Sequence, residues 1–344
     1  MLQEATGWPR SSVRARVAEL RKAGLVGGNG EGLYVETDEP PIEGSMDINE
    51  LKKYMQDIIE MTYRIDREYL ASILEDEIQA KESHFEDAVI VVSDLHIGAY
   101  SESELKRKMD TLLDHTLRLF TRAEALARIN QVHVFLLGDI ITGETKYAGQ
   151  PFEIEFPVLK QLALFIKYFT IYINSIRHFL GSDVPIIIDT VPGNHGVVSR
   201  YGSAETNWDN IAYEMLKLYY DVDKSIDVRI SSDFYKFVTI CGHRYLLLHG
   251  DGINMYQNIP LYGIVQASMR YLSSLGEHDV LILGHFHTTA LMNWNGTDLL
   301  INGTAYVDDP YTLKKLKMKP DPRFWMFGVD EDRPITWMYR IYLE

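Results

Sequence analysis

Five short apolar runs, each closed by a polar segment carrying glycine and histidine, constrain this chain more than any other feature. AVIVV runs into SDLH at Asp94 and His96, and VHVFLL into GD at Gly138 and Asp139. PIIIDTV leads to PGNH at Gly193, Asn194 and His195, YLLL to HGD at His249 and Asp251, and DVLIL to GHFH at His285 and His287. Runs of this length, rich in branched apolar residues, read as buried strands. Carboxylate, carboxamide and imidazole groups delivered from the carboxyl ends of successive strands are a donor set suited to a buried pair of divalent metals. A metal-dependent hydrolase is the expectation.

Composition narrows the remainder. At 344 residues the chain can bury a substantial core, and one main domain with a small accessory module is the expected plan. A net charge of −15 argues against a body that coats nucleic acid by bulk electrostatics, although a local basic surface still could. Bound dications would offset part of that charge. Cys241 is the single cysteine, so no intrachain disulfide is possible and a cytoplasmic protein is expected. The start, MLQEATGWPR, lacks the character of a signal peptide, and no uncharged run reaches the ~20 residues of a membrane span, so no membrane partner is expected.

Residues 1–36 have their own pattern: a turn at WPRSS, an amphipathic helix in VRARVAELRKAGLV and a glycine turn into a strand at GGNGEGLYVE. This is similar to part of a winged helix-turn-helix, with Arg10, Arg14, Arg16, Arg21 and Lys22 as candidate phosphate contacts. The competing reading is a solvated helix face. Residues 37–45 read as an acidic, proline-bearing linker, and 46–86 as a helical connector packing on the main domain or on a second subunit, which allows a homodimer. From residue 87 to 344, strands alternate with helices at 102–129, 155–180 and near 207–220, after which the chain becomes strand-rich. Two β-sheets facing each other between helical layers fit this order, giving an α/β fold.

Side chains alternate along an extended segment, so Asp94 and His96 are expected to point the same way and serve one metal, with His287. Asp139 is a candidate bridge, because two cations about 3.5–4 Å apart need shared negative charge between them. Asn194 offers a neutral oxygen, and His249 and His285 offer imidazoles to a second metal. Asp251 is a candidate for orienting His249 from outside the ligand set, against the plainer account of a turn-capping aspartate.

The ordered set DxH, GD, GNH, H and GHxH resembles the signature of the calcineurin-like metallophosphoesterase superfamily over about residues 87–305. That resemblance implies a four-layer α/β/β/α sandwich with two divalent metals, manganese first, with iron or zinc as alternatives. It implies Asp94, His96, Asp139 and His287 on one metal and Asp139, Asn194, His249 and His285 on the other. His195 would contact the phosphate and assist the leaving group, so the catalytic candidates are His195 and Asp139. The chain departs from the family pattern at Gly196, where GNHD or GNHE is usual; the loss of that carboxylate puts the setting of His195 in question. GDIITG does not match the protein-phosphatase form of the second motif. DLHIG and HGDG look closer to SbcD-type DNA nucleases and to phage or prokaryotic phosphoesterases with an N-terminal helix-turn-helix segment.

Substrate choice would lie in the loops after Asp139 and His195, where Lys146, Tyr147, Arg200, Tyr201 and Asn207 are candidate contacts. Each has a plainer reading as mobile polar loop or ordinary helix start. KKLKMK at 314–319 could touch a polyanion, or form a solvated charge cluster. The leading expectation is a phosphodiesterase acting on nucleic acid, DNA first, through attack by hydroxide generated between two metals. A phosphoesterase for small nucleotides or other phosphorylated metabolites is the alternative. A third reading is a DNA-binding regulator whose phosphoesterase domain is structural.

Overall fold

A computed structural model describes residues 84–146, 150–198, 206–257, 259–307 and 319–344. The helix-turn-helix-like segment, the linker and nearly all of the helical connector lie outside the described residues. So do Tyr147, Arg200 and Tyr201, and all of the KKLKMK run except Lys319.

The first half is built of parallel strand–helix–strand units. Strand β1 (Phe85–Val92) is followed by helix α1 (Glu102–Ala123), β2 (Arg128–Leu136), α2 (Val158–Leu180), β3 (Ile186–Thr190), α3 (Trp208–Tyr220) and β4 (Ile226–Ile230). Then come β5 (Tyr235–Ile240), β6 (His243–Leu248), α4 (Pro260–Ser274), β7 (Val280–Leu283), β8 (Ala290–Trp294), β9 (Thr297–Ile301), β10 (Arg323–Val329) and β11 (Met338–Tyr342). One six-stranded sheet has the order β11-β10-β1-β2-β3-β4, and a five-stranded sheet the order β5-β6-β7-β9-β8.

Period-two alternation decides which core each strand feeds. From β1, Ala88, Ile90 and Val92 face α1, α2 and α3, whose buried residues include Leu105, Phe120, Phe165, Phe169 and Tyr213. The intervening Val89 and Val91 face the other sheet and pack with Phe135, Tyr245, Leu247, Ile282 and Phe327. On the far side of the second sheet, Leu246, Leu248, Leu281 and Leu283 pack with Ile264 of α4. Three apolar layers thus separate four structural layers in the order helices, sheet, sheet, helix. Both sheets are apolar on both faces, which is why these strands read as continuous hydrophobic runs.

Two elements differ from the reading of the sequence. Helix α1 stops at Ala123 rather than 129, because from Ala127 to Asn130 burial alternates at strand period, and β2 has begun at Arg128. Helix α4 was not anticipated. Its fully buried stripe is only Pro260, Ile264 and Ser268, and Gly263 interrupts the pattern. That glycine is required by close approach, since a Cβ there would lie 2.0 Å from the Asn254 carbonyl oxygen.

Candidate metal centre

The loops that leave β1, β2, β3, β6 and β7 bring the site together. Asp94 and His96 lie past the end of β1 in left-handed backbone (φ 50° and 46°), so strand alternation is not what aligns them. Asp139, His285 and His287 share that conformation, with φ of 49°, 68° and 52°. Residues with a Cβ adopt it at a cost of about 1–3 kcal/mol each, and only where their surroundings hold them. Here backbone bonds between the first two loops do so: Asp94 N–H donates to Gly138 O and His96 N–H to Asp139 O, both at 3.0 Å. Thr304 Oγ1 donates to Asp94 O at 2.9 Å, and Thr142 Oγ1 to His96 O at 2.9 Å.

Two sets of ligand-type atoms result. Asp94, His96 and His287 form one, and Asp139, His249 and His285 the other, the atoms of each set lying within 4.8 Å of one another. Asp139 also lies within that range of His96 and His195, which places its carboxylate between the sets. Asp94 Oδ1 is 3.3 Å from His287 Nε2 and Asp139 Oδ2 is 3.0 Å from His249 Nε2. Asp94 Oδ2 accepts from His285 N–H at 3.0 Å and ties the sets together.

The donor chemistry fits two cations. Asp94 Oδ1 is fully buried, and among the described residues its neighbour is His287 Nε2 at 3.3 Å. Ring nitrogens face each other at 3.2 Å (His96 Nε2 and His287 Nε2) and 3.3 Å (His285 Nδ1 and His249 Nε2). Such pairs need either a proton on one member or a cation before both lone pairs. Asn194 Oδ1 lies 3.2 Å from His249 Nε2 on the side of Asp139 Oδ2. Hydrogen bonding alone would turn that amide over, to put nitrogen 2.9 Å from Asp139 Oδ2, whereas a cation would keep the oxygen inward.

Burial and charge compete at every titratable group here. Burial pushes the Asp94 carboxyl up, but the His287 hydrogen bond and the charge of His249 prevail and lower it. The same contest, with His249 and His195 as the opposing charges, leaves Asp139 well below the usual carboxylate range. Burial and the neighbouring His195 and His287 drive His96 well down. Burial also depresses His285, to about 4, helped by the charge of His249. For His249 burial is outweighed by Asp139, and its pKa rises to about 10.

His195 stands beside both sets. Its backbone N–H donates to Asp139 Oδ1 at 2.7 Å, its ring meets that of His96 edge-on at 4.7 Å between centroids, and its Nδ1 is 3.3 Å from the Thr142 carbonyl oxygen. That carbonyl holds the imidazole here. Gly196 is itself required, because a Cβ there would lie 2.1 Å from Asn207 Oδ1.

Other expected residues fall in different places. Lys146 is exposed, with Nζ 3.0 Å from the Asn194 carbonyl oxygen. Asn207, expected at the mouth, is buried: its Oδ1 accepts from Asp209 N–H and its Nδ2 donates to Gly193 O, both at 2.8 Å. Asp251 is exposed and does not orient His249, whose Nδ1 donates to Leu137 O at 2.7 Å.

Sequence reasoning passed over Asp209 and Tyr306. Tyr306 packs against the His96 ring at 5.6 Å between centroids. The Asp209 carboxylate accepts backbone N–H groups from Asp139 at 2.9 Å, Ile140 at 3.1 Å, Ile141 at 3.4 Å and Gly193 at 2.8 Å. Burial and the neighbouring Asp139 raise its pKa to about 6. Its only sequence signal is its position two residues after the helix-capping Asn207.

Among the described residues, no helix is long and apolar enough to cross a membrane. No protein-family model and no curated protein sequence matches the chain. Similar solved structures include vacuolar protein sorting 29 from Cryptosporidium parvum, 16% identical, covering 72% of this chain and 86% of its own, with a TM-score of 0.36. A novel archaeal phosphodiesterase is 13% identical over 74% of this chain and 98% of its own, with a TM-score of 0.37. A predicted phosphoesterase from Streptococcus pneumoniae is 12% identical over 74% and 97%, with a TM-score of 0.30. The helix–sheet–sheet–helix layering is the one the motif order implied, and the site residues follow one another along the chain in that order.

Proposed function

We propose that this chain is a dinuclear-metal-dependent phosphoesterase that cleaves phosphodiester bonds. The observation that carries the reading is the placement of Asp139 between two ligand sets, Asp94, His96 and His287 on one side and His249 and His285 on the other. Asn194 joins the second set through its amide oxygen. Divalent ions held there, manganese first and zinc or iron as alternatives, would neutralise phosphate oxygens and make hydroxide available near neutral pH. The chain's own groups do the rest. His195, its Nδ1 held by the Thr142 carbonyl, would contact the phosphate and assist the leaving group. Lys146, on the rim beside Asn194, offers a positive charge to a non-reacting phosphate oxygen.

A polynucleotide, DNA first, is the substrate favoured by the nuclease-like spelling of DLHIG and HGDG and by the arginines between Arg10 and Lys22. A net charge of −15 favours the second reading, a small nucleotide or other phosphorylated metabolite. The test is hydrolysis of bis(p-nitrophenyl) phosphate with manganese, zinc or iron, followed by labelled single- and double-stranded DNA and a nucleotide panel. Diester turnover with DNA cleavage is the expected result. Turnover of small esters with intact DNA selects the second reading, and failure to bind metal or to hydrolyse any ester overturns both.

A further inference from the structure

The Asp209 carboxylate is buried and faces four backbone N–H groups on two separate loops. An aspartate in the first turn of a helix ordinarily caps that helix, but on α3 the cap is made by Asn207, whose oxygen accepts from Asp209 N–H. Asp209 is thereby free to reach beyond its own helix. Its two oxygens grip the loop of Asp139, Ile140 and Ile141 and the loop that begins at Gly193. These loops deliver the central carboxylate, Asn194 and His195.

Nothing between the loops can absorb a misalignment. A Cβ on Gly138 would lie 2.3 Å from Gly193 N, and one on Gly193 would lie 2.2 Å from Asp139 N. Asn207 adds a second strut through Gly193 O. The start of α3 therefore meets both loops through hydrogen bonds aimed at main-chain atoms, whose positions set where Asp139 and Asn194 point. Amides oriented this way suit a carboxylate and no neutral side chain, since only an acceptor with several lone pairs can satisfy four donors.

Resting on the reading of the site as a metal centre, we propose that Asp209 is a positioning residue: it clamps the Asp139 and Gly193 loops so that Asp139 and Asn194 address the same cation. Outer partners of this kind alter metal affinity or activity by about 10–100-fold when removed. Asn at 209 keeps the volume but turns one acceptor into a donor facing N–H groups.

The test compares the full-length wild-type chain with Asp209→Asn, and with Asp189→Asn as a buried-carboxylate control remote from the ligands. Manganese and zinc are titrated into metal-free protein by calorimetry, and amide exchange is followed in the same metal-free samples. For Asp209→Asn the expectation is a 10–100-fold weaker dissociation constant for one of two sites. Faster exchange at Asp139, Ile140, Ile141 and Gly193, and a kcat that recovers as metal is raised, should accompany it. Asp189→Asn should bind both metals as the wild type does, whatever its melting temperature. If Asp209→Asn does not fold, Asn207→Ala, which removes one strut, should show the same site-selective loss to a smaller degree. Wild-type metal affinity in the folded variant, with only a lowered melting temperature, overturns the clamp alone. A wild-type chain that binds no metal overturns the clamp together with the reading of the site.

Discussion

His249 Nδ1 donates a 2.7 Å hydrogen bond to the carbonyl oxygen of Leu137, the last residue before the Gly138–Asp139 turn. A carbonyl can only accept, so the proton on Nδ1 is fixed and Nε2 is the nitrogen turned toward Asp139 and Asn194. In the metal-free protein Nε2 is also protonated near neutral pH, because Asp139 outweighs burial and lifts the pKa of His249 to about 10. His285 behaves oppositely: burial and the charge of His249 hold it at about 4, so it is already neutral. A metal must therefore displace a proton from His249 and none from His285. Manganese binding at pH 7–8 is expected to release about one proton per chain, from the site that holds His249, and affinity at that site to rise about tenfold per pH unit below pH 10. Calorimetry in buffers of different ionisation enthalpy measures this directly. Binding without proton release would mean that His249 is not a ligand.

The loop contacts give a second prediction. Gly193→Ala puts a Cβ 2.2 Å from Asp139 N, a backbone atom that cannot rotate away. Denaturant unfolding should show a loss of at least about 1–3 kcal/mol, the range for forced overpacking. Gly252 has no atom within 4 Å of its Cβ position, so Gly252→Ala should stay within about 0.5 kcal/mol of the wild type. Equal stability of the two variants would contradict the packing of the Asp139 and Gly193 loops.

Away from the ligands, Lys236 of β5 reaches Asp189 of β3, with Nζ 2.8 Å from Oδ1. Asp189 is buried, while the Lys236 side chain keeps 17% exposure. Lys236→Met strands the carboxylate and should cost toward the lower end of the ~3–5 kcal/mol for breaking a buried pair. Adding Asp189→Leu removes the stranded charge and should restore part of that loss. A double variant less stable than Lys236→Met alone would show that the pair carries little of the coupling between the sheets there.

The strands and the ligand-bearing turns were legible because burial on both faces writes itself as a continuous apolar run, and because glycine beside aspartate or histidine marks each turn. The conformation of those turns was not. Asp94 and His96 were expected to align by strand alternation, yet both have positive φ, set by hydrogen bonds to the loop of Asp139 and to Thr304 and Thr142. Long-range pairing of that kind leaves no periodic trace. Asp209 was silent for a similar reason, since its partners are main-chain amides on residues 68–70 and 16 positions away. Helix α4 escaped notice because a single buried stripe, Pro260, Ile264 and Ser268, suffices to cover the outer sheet there.

His195 offers the sharpest division between binding and chemistry. Its ring lies against His96, and its nitrogens come within reach of the same region as Asp139, so it is placed either to hold a metal or to work on the leaving group. The hydrogen bond from Nδ1 to Thr142 O fixes the ring and leaves Nε2 for either role; the resemblance in the GNH motif assigns it the second. On that basis His195→Ala should keep two metals at wild-type affinity while kcat on bis(p-nitrophenyl) phosphate falls by about 10²–10⁴-fold. The deficit should shrink with esters whose leaving groups are better, since a stable leaving anion needs no proton. Metal stoichiometry by elemental analysis and kcat across a leaving-group series check both statements, and loss of one metal in His195→Ala would reassign the residue as a ligand.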